Sequence, residues 1–371
     1  MPTLPLRETT TDWTVNREER FDFLSPEYRV LYEAHGATAF QSPLWQHMLH
    51  DRFLPEIAAT QATVVVRRTT GGEPIAVIPL VSQRSHGVAI SQFADFGVCD
   101  YNAPVGDSAE LTHLAADPLF REQLRKTFKG SDVVMFRKVR SDGFDMSRLL
   151  DASKSSAGEN AGYECEIGND FDHWRSRVLN KKFTKELGRL QRQAEREHGS
   201  YEHRTAVDER EIRAAFEFLR EAQIDRQKAS PLSKKTYFDF YSDFAVAGAS
   251  RGDAITYVSY LAGEPIAVLF GPAGKGQFHP VLIGADTNRF ARMSAGNQII
   301  YRLIQQRLGE GHTHFDMGLG DPGYKQHFRP TEMPMRNTTR SLTPTGAAIS
   351  LIYHHSKPLK NILRELVPNV R

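Results

Sequence analysis

The hexapeptide Gly-Glu-Pro-Ile-Ala-Val occurs twice in this chain, at Gly72–Val77 and at Gly263–Val268. Each copy follows a run suited to a β-strand, ATVVVRRTT before the first and ITYVSYL before the second. β-Branched and aromatic residues fit a pleated surface, and Gly-Glu-Pro is turn chemistry, so both copies predict strand, glycine turn, strand. Pro74 and Pro265 then open the outgoing strand, where a missing N–H does least harm. Convergence on good turn chemistry is the plain alternative. Against it, each hairpin is followed by another apolar strand, a loop, a helix and a last strand, so the repeat extends to a whole folding unit.

In the first unit, the pattern predicts a helix near Glu27–Ala34, and a second over Phe40–Phe53 begun by Ser42-Pro43. Strands are predicted at 62–69, 74–82 and 87–95. The loop Phe96–Asp107, a helix Pro118–Phe128 and a buried strand Ser131–Val139 follow. The polar, glycine-bearing stretch Asp151–Gly162 reads as a linker. The second unit opens with one long helix, Phe171–His198. Two more helices, Glu209–Lys228 and Ser233–Ala247, precede strands at 254–261, 265–271 and 276–284. A helix Asn297–Leu308 and the strand THFDMG complete it, and a tail adds a strand RNTTRSL and helical character over Ile349–Leu366. The expected organisation is residues 1–160, 161–345 and a helical tail 346–371.

Composition narrows the setting. A formal net charge of +2 says nothing about partners, whereas 40% hydrophobic residues suffice for ordinary cores. Two cysteines, Cys99 and Cys165, are too few for a disulfide framework and have no metal-ligand spacing. With no apolar leader and no run of membrane-spanning length, a cytoplasmic protein without a membrane span or metal is expected.

Three stretches have residues that can do chemistry. GLGDPGYKQHF (Gly318–Phe328) follows a strand, where glycines let backbone approach a ligand. Asp316 and Asp321 offer carboxylates, Tyr324 a hydroxyl and Lys325 a cation, although a glycine-rich turn with a solvated lysine reads equally well. RFARMSAGNQIIYRLI (Arg289–Ile304) joins a loop to a helix N-terminus, whose N–H groups and dipole suit a pyrophosphate. The residues concerned are Arg292, Ser294, Ala295, Gly296 and Asn297; a simple strand–loop–helix connection is the alternative. The helix Arg175–Arg196 has eight cations against Glu186 and Glu195, and Lys181, Lys185, Arg189, Arg192 and Arg196 share a face. That face suits a polyanion such as tRNA, or it is solvated. His279 reads as a hydrogen-bonded core histidine.

FDMGLGDPGYKQHF resembles the "fDfg-G-x-x-x-YK-x-x-f" signature of the GNAT-like acyltransferases of bacterial cellulose and exopolysaccharide synthesis, the CelD/BcsL or BioF-like family. FQSPLW, GGEPIAVIPLV, VLNKKFTKELGRLQRQAE and ADTNRFARMSAG resemble further family motifs between Phe40 and Phe328. That family is similar in turn to the Fem peptidyltransferases, which contain two tandem GNAT-like units. The resemblance implies an α+β fold of two such units, each a mixed, mostly antiparallel sheet flanked by helices. It also implies an acyltransferase that moves an acyl group from acyl-CoA to an amine or hydroxyl of a sugar, nucleotide-sugar or related precursor. Asp316 or Asp321 is then the expected base, Tyr324 the acid and Lys325 the holder of a phosphate or oxyanion. Gln41, Trp45, Asp100, Tyr101, Asn102 and Arg226 are expected to contact substrate in a cleft between the units. The relation to Fem enzymes leaves aminoacyl-tRNA open as the donor. The one out-of-register glycine and the alanine in the Arg292–Asn297 loop leave open a non-catalytic scaffold in polysaccharide synthesis.

Overall fold

A computed structural model describes residues 11–226, 230–320 and 323–355, with the side chains of 225 and 226 excluded. In the first unit the strands are β1 (Trp13–Glu18), β2 (Ala59–Gln61), β3 (Thr63–Arg68), β4 (Pro74–Ile78), β5 (Leu80–Ser85), β6 (Val88–Phe93), β7 (Val105–Gly106), β8 (Val133–Arg140) and β9 (Lys154–Ala157). The helices are α1 (Pro26–His35), α2 (Pro43–Phe53), α3 (Ser108–Ala116) and α4 (Pro118–Thr127). In the second unit the strands are β10 (Gly162–Glu166), β11 (Tyr201–Thr205), β12 (Ala254–Leu261), β13 (Glu264–Gly274), β14 (Gln277–Phe278), β15 (Leu282–Ala285), β16 (His314–Leu319) and β17 (Thr331–Met333). Its helices are α5 (Phe171–Val178), α6 (Lys181–His198), α7 (Glu209–Arg226), α8 (Lys235–Ala249) and α9 (Ala295–Gly309). Strand β18 (Met335–Ser341) and helix α10 (Pro344–His355) follow.

The repeated hexapeptide builds the same bulge twice, on a longer turn in the first copy (between Arg68 and Glu73) than in the second (between Leu261 and Glu264). In β3–β4, Val66 faces Ala76 and Arg67 faces Pro74, which leaves Ile75 as an extra residue. In β12–β13, Ser259 faces Ala267 and Tyr260 faces Pro265, which leaves Ile266 extra. The bulge therefore falls at the same place in both copies. The preceding glycines, Gly72 and Gly263, have φ of +73° and +84°, which a residue without Cβ adopts at least cost.

Beyond the hairpin the copies diverge. Sequence predicts one strand over 74–82, but Pro79 interrupts it, and the chain passes from the sheet β1-β3-β4-β7 into the sheet β2-β5-β6-β8-β18-β9. The counterpart, β13, runs unbroken and pairs with β12, β14 and β15. The last strand, β16, joins a separate sheet, β16-β10-β17. β18, which sequence groups with the second unit, pairs with β8 and β9 of the first.

The single helix expected over Phe171–His198 is two. Leu179 is extended, and the Asn180 side chain accepts from the Lys182 N–H, starting α6 afresh as an N-cap. The strand expected at 276–284 is likewise β14 and β15, with His279 between them. The tail helix lies at Pro344–His355, and the rest of its expected extent falls outside the described residues.

One hydrophobic cluster spans both units. Phe40, Trp45, Leu49 and Phe53 from the first pack with Phe216, Phe240, Phe244 and Phe270 from the second. Arg52 adds an ion pair to Asp243 at 2.7 Å, and the Tyr237 hydroxyl donates to the Phe96 carbonyl at 3.0 Å. Contact this apolar fixes the relative position of the units and hence any site between them. Among the described residues no helix is long and apolar enough to cross a membrane, and no group of three or more His, Cys, Asp or Glu is placed to hold a metal.

Candidate functional site

In the first unit, β6 and β8 run parallel and hydrogen-bonded, with Ile90, Ser91 and Gln92 opposite Val133, Val134 and Met135. In the second, among the described residues, β15 ladders with β13 and β16 with β10, and not with each other. The gap between β15 and β16 is a cavity of about 260 Å³ lined by Pro280–Ile283 on one side and Phe315, Met317, Gly318 and Leu319 on the other. Asp100, from the first unit, lines it as well, as do Tyr324 and Lys325.

Gly318 makes this approach of the two units possible. Its φ is +72°, and a Cβ there would stand 2.9 Å from the Pro280 carbonyl oxygen and 3.3 Å from Asp100 Oδ2. The same carboxylate oxygen accepts the Leu319 N–H at 3.3 Å. Lys325 is buried and held by a 3₁₀ turn, Gly323–Phe328, anchored by the fully buried Phe328. Its Nζ donates to the carbonyls of Gly318 (3.2 Å) and Leu319 (2.8 Å) and lies 5.2 Å from the centre of the Tyr163 ring. Lys325 thus fixes the end of β16 and places a cation at the cavity.

Burial pushes the Asp100 carboxyl up to about 6, and the Asp316 charge adds to that. Lys138, the Leu319 N–H and Lys325 pull it back down. A carboxylate with this pKa takes and releases protons near neutrality, as a general base must.

Asp100 and Leu319 also line a second cavity, of about 230 Å³, which reaches the other way toward Arg137, Lys138, Asn337 and Tyr353. A third, of about 300 Å³, shares Ile283 and Tyr324 with the first and is lined by Ser294–Asn297 at the start of α9. Ser294 there is left-handed, with φ of +52°, and its side chain makes no cap bond to the helix. A Cβ at Gly296 would meet nothing within 4 Å, so backbone borders open space. The three cavities form one sequence: α9 N-terminus, splayed strands, Asp100, then the first unit.

The structure thus brings together Asp100, Tyr324, Lys325 and residues 294–297. Others among the expected residues lie elsewhere. Asp316 faces the opposite side of β16 from Phe315 and Met317, as strand alternation requires, and borders a polar cavity of about 400 Å³. Its Oδ1 accepts from the Tyr101 hydroxyl (3.1 Å) and the Gly318 N–H, and its Oδ2 lies 2.7 Å from His279 Nδ1. Those bonds tie β16 to Tyr101 of the first unit and to His279. Tyr101 stays protonated in that bond, since burial and the Asp316 charge raise its pKa well above the usual value. His279 is buried, with its other nitrogen 3.2 Å from Gln277 Oε1 and its ring stacked on Phe40.

Gln41 is buried and occupied. Its Oε1 accepts from Thr38 and its Nε2 donates to the Tyr101 carbonyl, so it positions the loop that contains Asp100. Trp45 donates to Cys99 Sγ at 3.3 Å and packs in the core shared by the units. Asn102 is also internal, its side chain donating to the Arg137 carbonyl at 3.0 Å. Arg292 is exposed and lies outside these cavities. Asp321 lies outside the described residues, as does the side chain of Arg226.

The basic face of α6 is exposed at Lys181, Lys185, Arg189, Arg192 and Arg196, while Leu187, Leu190 and Ala194 are buried. Arg189 is paired with Glu186 at 2.7 Å. Phe183 stacks on His327 with ring centres 4.5 Å apart, and Gln298 donates to the Leu187 carbonyl at 2.7 Å. Those contacts seat α6 beside the Lys325 turn and the start of α9. Sequence reasoning missed Arg137 and Lys138 altogether. The available signal was two adjacent cations inside an otherwise apolar strand, SDVVMFRKV.

Residues 181–326 match the family model described as an acetyltransferase (GNAT) domain. Among solved structures, FemX is 11% identical with a TM-score of 0.64, covering 90% of this chain and 100% of its own. The C-terminal domain of a putative lysylphosphatidylglycerol synthetase from Agrobacterium fabrum is 12% identical with a TM-score of 0.56, covering 93% of this chain and 97% of its own. L-PGS from Bacillus licheniformis is 15% identical with a TM-score of 0.55, covering 90% and 98%. No curated protein sequence matches. At such identities the likeness is one of fold: an α+β chain of two tandem GNAT-like units.

Proposed function

We propose that this chain, whose residues 181–326 match a GNAT acetyltransferase domain, moves an acyl group from a carrier lying between β15 and β16 to a nucleophile presented at Asp100. The observation that carries this reading is the place of Asp100: it forms the wall between two cavities, one in each unit, with its pKa raised to about 6.

The carrier is an acyl-CoA, which supplies an activated thioester. Ser294–Asn297 would hold its pyrophosphate, where uncapped N–H groups and the helix dipole favour an anion. The acceptor is an amine or hydroxyl of a sugar, nucleotide-sugar or related polysaccharide precursor, in keeping with the family resemblance of the Gly318–Phe328 segment. As the acceptor nitrogen or oxygen bonds to the acyl carbon, its proton passes to the Asp100 carboxylate. Lys325 stabilises the negative charge that builds on the acyl oxygen. Tyr324, which borders both donor-side cavities, protonates the departing sulfur as the carbon–sulfur bond breaks. Asp316 holds Tyr101 and His279 in place.

The test is release of free thiol from acetyl-CoA in the presence of amino sugars and nucleotide-sugars, together with calorimetry of acetyl-CoA binding. Wild-type kcat/KM should rise with pH through about 6, and Asp100→Asn should lose about 10²–10³-fold in turnover while still binding acetyl-CoA. Full turnover in Asp100→Asn removes the base from the mechanism. An absence of binding heat at high acetyl-CoA concentration favours a non-catalytic scaffold.

One observation favours a second reading in which the donor is an aminoacyl-tRNA: α6, with five cations exposed along it, packs beside the start of α9 and the Lys325 turn. A gel shift with tRNA over a salt series discriminates, because phosphate contacts weaken steeply with salt. No shift at low salt ends that reading.

A further inference from the structure

We infer that the cavity on the first-unit side of Asp100 is built to hold an anionic group of the acceptor, a carboxylate or a phosphate, on the guanidinium of Arg137. The inference rests on the acyl-transfer reading for what the bound anion belongs to. The anion site itself stands on geometry alone.

In a regular strand, neighbouring residues face opposite sides of the sheet. In β8 they do not. Val139 faces Arg336 and Phe136 faces Thr338, so Arg137 and Lys138 together oppose the single residue Asn337. Lys138 takes up the distortion with a φ of +54°, and its N–H donates to Asn337 Oδ1 at 3.0 Å. A bulge of this kind re-aims side chains, and here Arg137, Lys138 and Asn337 all line the cavity that Asp100 borders. A non-glycine residue in left-handed backbone inside a strand is costly and persists where its surroundings enforce it.

The two cations differ in what balances them. Lys138 Nζ lies 3.1 Å from Asp95 Oδ1 and 2.8 Å from the Cys99 carbonyl, so its charge is met. Arg137 is 6% exposed, yet its guanidinium has one acceptor among the described residues, Gln92 Oε1 at 3.2 Å, and no carboxylate within ion-pair distance. A guanidinium offers five N–H donors in a fixed fork that fits a carboxylate or phosphate two bonds at a time. A guanidinium largely withdrawn from water and without a carboxylate beside it favours an anion at its open donors. The cavity that it lines, which Glu159 borders as well, is where such an anion fits. An acceptor held there by its anion would present its nucleophile toward Asp100.

The test is calorimetry of the full chain with inorganic phosphate and, separately, with acetate. At least one is expected to bind at millimolar concentration, and the stronger of the two identifies the acceptor's anionic group. Arg137→Gln should lose at least tenfold in that affinity, Arg137→Lys should keep part of it, and Lys126→Gln on the α4 surface should change nothing. Asp100→Asn should retain anion binding while losing turnover, so the anion site and the acyl-transfer reading fail separately. If Arg137→Gln does not fold, crystals of the wild-type chain soaked in phosphate or acetate replace it, with density expected in the fork of Arg137. Binding that is undiminished in Arg137→Gln, or no binding and no density with either anion, overturns the inference.

Discussion

The two units begin from a hairpin bulged at the same place and part company at the seam between their last two core strands. In the first, β6 and β8 are hydrogen-bonded through three residue pairs before the bulge at Arg137–Lys138. In the second, among the described residues, β15 and β16 share no ladder, and the opening between them is the central cavity. Backbone groups released from a ladder must be satisfied in another way, so a splayed seam persists only where something else holds its edges. Here β16 is held by β10 on one side and by the Lys325 ammonium across its final carbonyls. The first unit, with its seam closed over those pairs, contributes instead the loop that bears Asp100 and the surface into which the second unit packs. One folding plan thus yields a half that opens and a half that lends it a carboxylate.

That contrast assumes the halves act as one body, and the largest effect tests it. Trp45 is fully buried in the shared core and packs against Phe240 and Phe244. Trp45→Ala should lower stability by about 3–5 kcal/mol, with thermal unfolding still a single transition by calorimetry. Two separated transitions would mean that the halves are independent and their seam a loose one.

Gly318→Ala probes the open seam directly. A methyl group there meets the Pro280 carbonyl in a backbone conformation that disfavours a side chain. A loss of about 2–3 kcal/mol is expected in denaturant titration, with turnover falling further than stability. An unchanged protein would show that β16 can shift, and that the seam is not rigidly set.

The Asp100 pKa gives a smaller effect with a defined sign. Its folded-state value, about 6, is above that of a free carboxyl, so protonation favours folding. That contribution is complete below about pH 4 and is lost as pH rises through 6. Asp100→Asn should therefore be more stable than wild type by about 1–2 kcal/mol at pH 8, and equal to it at pH 3.5. Equal stability at both values would place the carboxyl at an ordinary pKa.

The smallest effect tests the equivalence of the copies. Gly72→Ala and Gly263→Ala each place a methyl group in open space at positive φ. Each should lose about 1 kcal/mol, and the two losses should agree within a few tenths. Disagreement would mean that the repeated hexapeptide serves different ends in the two units.

The fold was legible in the sequence because its signals are local. A β-branched run, a glycine needing positive φ and a proline at a strand start act within about ten residues, so two copies of the hexapeptide specify two bulged hairpins wherever they stand. Asn180 was equally local, yet its cap was overlooked because the apolar stripe of Leu179, Phe183, Leu187 and Leu190 runs through it at helical spacing. Lys325 was legible locally as a cation on a glycine turn at a strand end, whereas its place at a cleft rested on the family resemblance. The site beyond it was not local. Asp316 and Asp100 look alike in sequence. They differ because one is taken up by Tyr101, His279 and the Gly318 N–H, whereas the other is left at a cavity wall.

By itself, then, the sequence determined a twofold plan, the hairpin geometry and a lysine at the end of the last core strand. Tertiary structure decided which carboxylate is buried at a cavity wall with a raised pKa, where the strands part and which buried cation has no carboxylate partner among the described residues. The physical reason is that desolvation and charge pairing are set by neighbours brought together from distant parts of the chain, Asp100 with Leu319 and Arg137 with Gln92. No pattern of spacing along one segment encodes those meetings.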